Sequence, residues 1–231
     1  MRNNNLQITN DNPMNSFIKS LLLVLLLIIS SCNAPTFRMF EKPIIFNDER
    51  KSLSLDYLKY RHGIETDQTE IEPKMVVVHW TAIPTLESSF DAFNPVKLNG
   101  RPELTSASSL NVSAHFLVDR DGAIFRLIPE NQFARHTIGL NYMAIGIENI
   151  GDEKSPLTKA QLKANAQLVR HLKRKYPISY LIGHHEYYDF RKSDLWKETD
   201  PNYITHKIDP GAKFMKKLRK ELADLNLKNT P

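Results

Sequence analysis

Residues 75–80 read Met-Val-Val-Val-His-Trp, an unbroken run of apolar and β-branched side chains that ends on a histidine and a tryptophan. A run without polar alternation is the pattern of a strand buried on both faces. Such a strand needs layers packed above and below it, so the rest of the chain must supply helices. The clearest spans 158–176, where Thr158 and Gln161 form a capping-box pair and Leu162, Ala166, Val169, Leu172 and Tyr176 recur at helical spacing. Pro177 stops it. A last helix from about 211 carries Phe214, Leu218, Leu222 and Leu225 on one face, and residues 85–98 suit another before a loop over 99–113. Two β-type runs around Asp121-Gly122 predict a hairpin. Ala144–Ile150 and Tyr180–Gly183 predict two more strands. The expected fold is α/β, a single domain with a mixed central sheet flanked by helices.

The front of the chain reads differently. Residues 21–29 are continuously apolar, or 17–29 apart from Lys19 and Ser20, which is short of the ~20 residues a spanning helix needs. Basic Lys19 and the small residues Ser30 and Ser31 frame this run as a secretory signal over residues 1–31, with translation starting at Met1 or Met14. The chain's single cysteine excludes a disulfide framework or a Cys-rich zinc site. That cysteine, Cys32, stands directly after Ile29-Ser30-Ser31, which resembles the lipobox of bacterial lipoproteins. The resemblance implies lipidation at Cys32, export, and attachment to a cell-envelope membrane, expected to be the outer membrane on its periplasmic side. Residues 32–50, with Pro35 and Pro43, are expected to form a tether, and 51–231 the domain. The formal charge of +5 suits an anionic polymer and a solvated basic surface equally, so charge leaves the partner open. No nucleic-acid partner is expected, and a monomer is the default.

The chemistry-bearing residues stand at strand ends. His79 follows Val76–Val78, and His184 follows Leu181-Ile182-Gly183. Were these strands parallel neighbours, both imidazoles would meet in the crevice outside the carboxyl ends of the sheet, where open α/β sheets place ligands. Asp209 precedes the last helix. Two histidines and one carboxylate with a fourth position open form a catalytic zinc arrangement. The separations, 105 and 25 residues, carry little by themselves. His185 could replace His184, but neighbours at a strand end point opposite ways.

The words around these residues are more specific. Val77–Ala82, Ser113–Gly122, Ala134–Thr137, Ile145–Asn149, Gly183–Glu186 and Lys207–Gly211 resemble, in order, six motifs of the zinc-dependent N-acetylmuramoyl-L-alanine amidases. This is the AmpD-like group, related to phage lysozyme-type amidases and peptidoglycan recognition proteins. The resemblance covers about 75–215. It implies one Zn2+ held by His79, His184 and Asp209, with Glu148 as the catalytic carboxylate and Lys207 beside the reacting carbonyl. It also implies a peptidoglycan or muropeptide substrate, cut between the lactyl group of N-acetylmuramic acid and L-alanine. Some relatives carry a tyrosine where Ala114 stands, which excludes a tyrosine-assisted variant at that site and moves the role toward Glu148.

His115, His136 and Asn141 are expected near the substrate, His115 either lining the cleft or packing beside the metal. His62, His171 and His206 carry no motif and are expected at the surface. Trp80 reads equally as core or as a sugar platform. The aromatic insertion over 185–206 reads as a lid, a groove wall or a cover for the sheet. The competing function is a non-catalytic peptidoglycan receptor, which could dispense with a ligand or with the carboxylate. A different zinc peptidase lacks its local signature, since no His-Glu-x-x-His occurs.

Overall fold

The computed structural model describes residues 38–231. The expected signal over 1–31 and Cys32 lie outside the described residues. The strands are β1 (Met39–Glu41), β2 (Met75–Trp80), β3 (Phe116–Val118), β4 (Ile124–Arg126), β5 (Ala144–Asn149) and β6 (Tyr180–Gly183). They form one sheet in the order β1-β4-β3-β5-β2-β6. Only β3 and β4 are antiparallel, as the Asp-Gly turn requires. β2 lies between β5 and β6, parallel to both. The sheet is mixed and the domain single, as expected. The helices are α1 (Asp48–His62), α2 (Leu86–Phe93), α3 (Pro102–Thr105), α4 (Lys159–Lys175) and α5 (Ala212–Glu221). Thr158 caps α4 with the expected reciprocal pair to Gln161.

Alternation along β2 and β5 sorts the core into two faces. Val76, Val78, Ile145 and Ile147 pack with Leu168, Val169 and Leu172 of α4 and Met215 and Leu218 of α5. Met75, Val77 and Ala144 face the other way, against Leu140, Tyr187, Phe190 and Tyr203. By the same alternation His79 and Glu148 belong to this second face.

The expected tether over 32–50 is corrected across its second half. Met39–Glu41 pairs in parallel with Ile124–Arg126 at the sheet edge. Asn47 caps α1 by accepting from the Arg50 amide, with Asp48 and Glu49 placed against the helix dipole. The domain therefore includes residues that were expected to precede it. α1 escaped the hydrophobic pattern because its buried face is partly polar. Arg50 is buried and donates to the carbonyls of Phe93, Asn94 and Pro95, while Ser54 donates to the Arg50 carbonyl. His62 is corrected too: it is 4 % exposed rather than at the surface.

The insertion over 185–206 covers the sheet rather than hanging free. After a 3-10 turn over His184–Phe190, its aromatic residues enter the second core cluster. Trp196 stacks on Tyr187 and lies against Gly139, where a Cβ would come within 2.6 Å of the indole. The C-terminal turn of α1 then grips the segment. His62 Nδ1–H donates to the Lys197 carbonyl, Thr199 N–H to the Arg61 carbonyl, and Arg61 pairs with Glu198 at 2.8 Å.

Candidate active site

His79 and His184 meet because their strands are parallel neighbours and both end at the same edge. Their Nδ1 atoms lie 2.9 Å apart. Asp209, on the segment entering α5, brings Oδ2 to 3.0 Å from His184 Nδ1 and 3.3 Å from His79 Nδ1. All three residues are buried. An ion bound at about 2.0–2.1 Å in a tetrahedron has donor atoms about 3.3–3.4 Å apart. The triangle found is close to one face of such a tetrahedron, so these residues fit a metal. The group could hold an ion as it stands.

The surroundings prepare the donors. His136 Nε2–H donates to the Ala144 carbonyl at 3.1 Å, which leaves its Nδ1 as an acceptor. That Nδ1 lies 3.1 Å from His79 Nε2, so His79 carries its proton there and its Nδ1 lone pair is free. The His136 ring fits only because residue 146 is glycine: a Cβ there would lie 2.8 Å from the ring. Burial holds the His184 imidazole down, to about 4, against the pull of Asp209, so it is neutral near pH 7 as a ligand must be. Burial opposes charge on Asp209, yet His184 and His79 outweigh it and hold the carboxyl well below the usual range.

His185 points elsewhere. Its ring packs on Gly183, and its Nδ1–H donates to the backbone carbonyl of Asp209 at 3.0 Å. It therefore steadies the Asp209 segment from behind. Glu148 stands directly opposite His79 in the β2–β5 register. Its Oε2 is buried without a partner. Burial raises this carboxyl to about 7, while His79, Lys207 and Arg101 pull it back and Asp209 pushes it up.

Glu148, Lys207 and the three clustered side chains line one cleft of about 590 Å³. This lies within the range of small-ligand sites. Trp80, His136, Asn141, Tyr203 and Thr205 contribute to its walls. Trp80 is therefore at the cleft rather than in the core.

The structure redistributes the expected substrate contacts. Of the two placements expected for His115, the structure takes packing: it is fully buried, donates from Nε2 to the Gln132 carbonyl and accepts the Gly146 amide at Nδ1, and it does not line the cleft. Both nitrogens are spent on backbone, so it is a packing residue behind His136. The polar atoms of His136 are committed to Ala144, Thr137 and His79. It orients His79 rather than presenting a free donor. Asn141 is divided. Its Oδ1 accepts the amides of His136 and Thr137, while its buried Nδ2 has no partner.

Two residues escaped the sequence reading. Arg101 lines the cleft from a loop where it adopts φ 55°, and its neighbours Gly100 and Pro102 were the only available signal. Arg135 is buried at the cleft wall. It donates to the carbonyls of Ser108, Leu110 and Leu104 and to the Tyr203 hydroxyl, with its guanidinium 5.2 Å from the Tyr57 ring centre. One side chain thereby ties α1, the 99–113 loop and the 185–206 insertion together. It stands inside the motif word Ala134–Thr137, but its partners are distant in sequence, so that word did not reveal its role.

Comparison with known proteins follows the same residues. The family model described as N-acetylmuramoyl-L-alanine amidase (Amidase_2) matches residues 68–212. The 1,6-anhydro-N-acetylmuramyl-L-alanine amidase AmpD of Salmonella typhimurium is 30 % identical over 138 residues, covering 53 % of this chain and 74 % of that protein. Peptidoglycan recognition protein 3 of Mus musculus is 30 % identical over 105 residues, 45 % of this chain and 30 % of that one. A crystal structure of a selenomethionine AmpD derivative covers 80 % of this chain and 94 % of its own at 23 % identity, with a TM-score of 0.49. With a family match over more than half its length, this chain belongs to the N-acetylmuramoyl-L-alanine amidase family.

Proposed function

We propose that the protein is a zinc-dependent hydrolase of the amide between the lactyl group of N-acetylmuramic acid and L-alanine, acting on peptidoglycan or its fragments. The observation that carries this reading is the convergence of His79, His184 and Asp209 beside Glu148 in one cleft. His79, His184 and Asp209 would hold the Zn2+, which when bound would supply Lewis acidity for the scissile carbonyl and lower the pKa of water toward neutrality. Glu148, its carboxyl raised toward neutrality by burial, takes the proton of the attacking water. As the C–N bond breaks, the same carboxyl returns that proton to the departing alanine nitrogen. Lys207 stands two residues from Asp209 and steadies negative charge on the carbonyl oxygen. Asn141 Nδ2 offers a donor to a substrate carbonyl. Lys97, Arg101 and Lys207 line the cleft and suit a stem peptide, which carries carboxylates.

The test uses the chain from residue 33 with purified muropeptides, followed by mass spectrometry with added zinc or chelator. Free stem peptide plus peptide-less sugar, lost on chelation, is the expected result. Intact muropeptide despite bound zinc would replace this reading with the receptor. We further propose export and lipid attachment at Cys32. Intact mass of the N-terminal peptide from a bacterial host tests it: an acylated Cys32 is expected, and an unmodified cysteine would remove the anchor.

A further inference from the structure

The excess positive charge of this chain sits in one layer. α4 carries six cations and no acid, and α5 carries five cations and Glu221. Of the chain's 31 cations and 26 acids, these 27 residues therefore take 11 and one. The remainder, with 20 cations and 25 acids, is net negative. Lys213, Lys216, Lys217 and Lys220 follow the i, i+3, i+4, i+7 rule and share one face of α5. The opposite face buries Phe214, Met215 and Leu218. On α4, Lys159, Lys163 and Arg174 fall within about 60° of one another at 100° per residue. All seven are exposed, and none enters an ion pair among the described residues. The two helices pack on each other and on the same sheet face, so the stripes belong to one surface.

That surface lies across the sheet from the cleft, because His79 and Glu148 belong to the other face of β2 and β5. Met39 packs against the helix-side cluster, so the described chain enters the domain on the basic side. We propose that the α4–α5 face docks on anionic phospholipid headgroups and leaves the cleft open away from the lipid. Charge complementarity favours any polyanion, and two features select a lipid surface. A wall polymer held on this face would be separated from the cleft by the whole sheet. Met39 also follows Cys32 by seven positions, a span of at most about 25 Å, so an anchor there keeps the domain beside a membrane. This last step rests on the anchor reading above; the charge asymmetry does not.

The experiment uses the unlipidated chain from residue 33, which holds every core cluster described, so neither acylation nor amidase activity is required for the result. Its cosedimentation is measured with vesicles of phosphatidylglycerol and phosphatidylcholine (3:7) and with phosphatidylcholine alone. Binding to the anionic vesicles at 50 mM salt, lost at 500 mM as charges are screened, is expected. Joint replacement Lys213→Glu, Lys216→Glu, Lys217→Glu and Lys220→Glu should weaken it at least tenfold. The milder Lys→Gln set should weaken it several-fold and guards against misfolding. Both sets should leave the circular dichroism and the hydrolysis of soluble muropeptides unchanged. The same four changes to Glu at Lys51, Lys59, Lys74 and Lys192 should leave vesicle binding intact. Equal binding to neutral vesicles, or indifference to the α5 replacements, would overturn the proposal. So would stronger α5-dependent binding to lipid-free sacculi than to vesicles, which would make the wall polymer the occupant.

Discussion

The two faces of the sheet are built by opposite means, although the same strands serve both. On the helix side, Val76 and Val78 meet leucines, valines and methionines whose spacing repeats every helical turn. On the cleft side, Met75 and Val77 give way one step later to His79, and the cover is an irregular insertion held by polar contacts. The helix side gains its stability from apolar area, which is non-directional and tolerant of small shifts. The cleft side depends on directed bonds from Arg135, His136 and His62, whose loss leaves buried partners unsatisfied. A catalytic site needs such directed placement, and the periodic layer behind supplies the rigid floor.

Four predictions test this contrast, beginning with the largest effect. His184→Ala or Asp209→Ala should abolish zinc retention and hydrolysis together, read by elemental analysis and turnover. Glu148→Gln should keep the metal and lower kcat by about 10³-fold; a metal-loaded variant that still turns over would remove its role. Its pH profile sharpens the point. Activity needs the carboxylate, so the wild-type rate should fall as pH drops through a value above the ordinary 4.5 and no higher than about 7, since a bound cation lowers the burial-raised value.

The second prediction compares the faces directly. Arg135→Met and Leu168→Ala should each destabilise by about 3 kcal/mol in urea unfolding. Only Arg135→Met should also raise KM, because it releases the loop and Tyr203 at the cleft wall. Equal kinetics for both would mean that the polar network has no part in shaping the site.

The third concerns His62, caged by Tyr57, Phe133 and Tyr142 and held at about 4 by burial. Its folded value is below the unfolded 6.5, so the unfolded chain binds the extra proton. Stability should therefore fall by about 3 kcal/mol as pH drops from 6.5 to about 4, with no further contribution below. Unfolding curves of His62→Gln should lose that part of the slope. The smallest effect belongs to the helix side: Thr158→Ala removes the α4 cap and should cost about 1 kcal/mol with activity unchanged.

These contrasts track what could be read in advance. The helix side was legible because its signals are local: a capping pair, a 3.6-residue repeat, a proline stop. The strand ends bearing His79 and His184 were legible for the same reason. α1 was not, since three of the five residues it buries are Arg50, Ser54 and His62, and Arg50 and His62 are buried only where distant carbonyls receive them. β1 was hidden similarly, because a three-residue edge strand has no pattern apart from its partner.

The sequence by itself determined an α/β domain, its principal strands and helices, and the residue types able to hold a metal beside a carboxylate. These follow from periodicity and side-chain chemistry, which belong to neighbouring residues. Only the tertiary structure decided that His184 and not His185 turns to His79 and Asp209, and that His115 is spent on backbone while His136 fixes a tautomer. It also decided that Arg135 joins three segments and that the charge lies behind the cleft. Each of these depends on which groups meet across tens of residues, and burial and hydrogen-bond partnership exist only once the chain has closed.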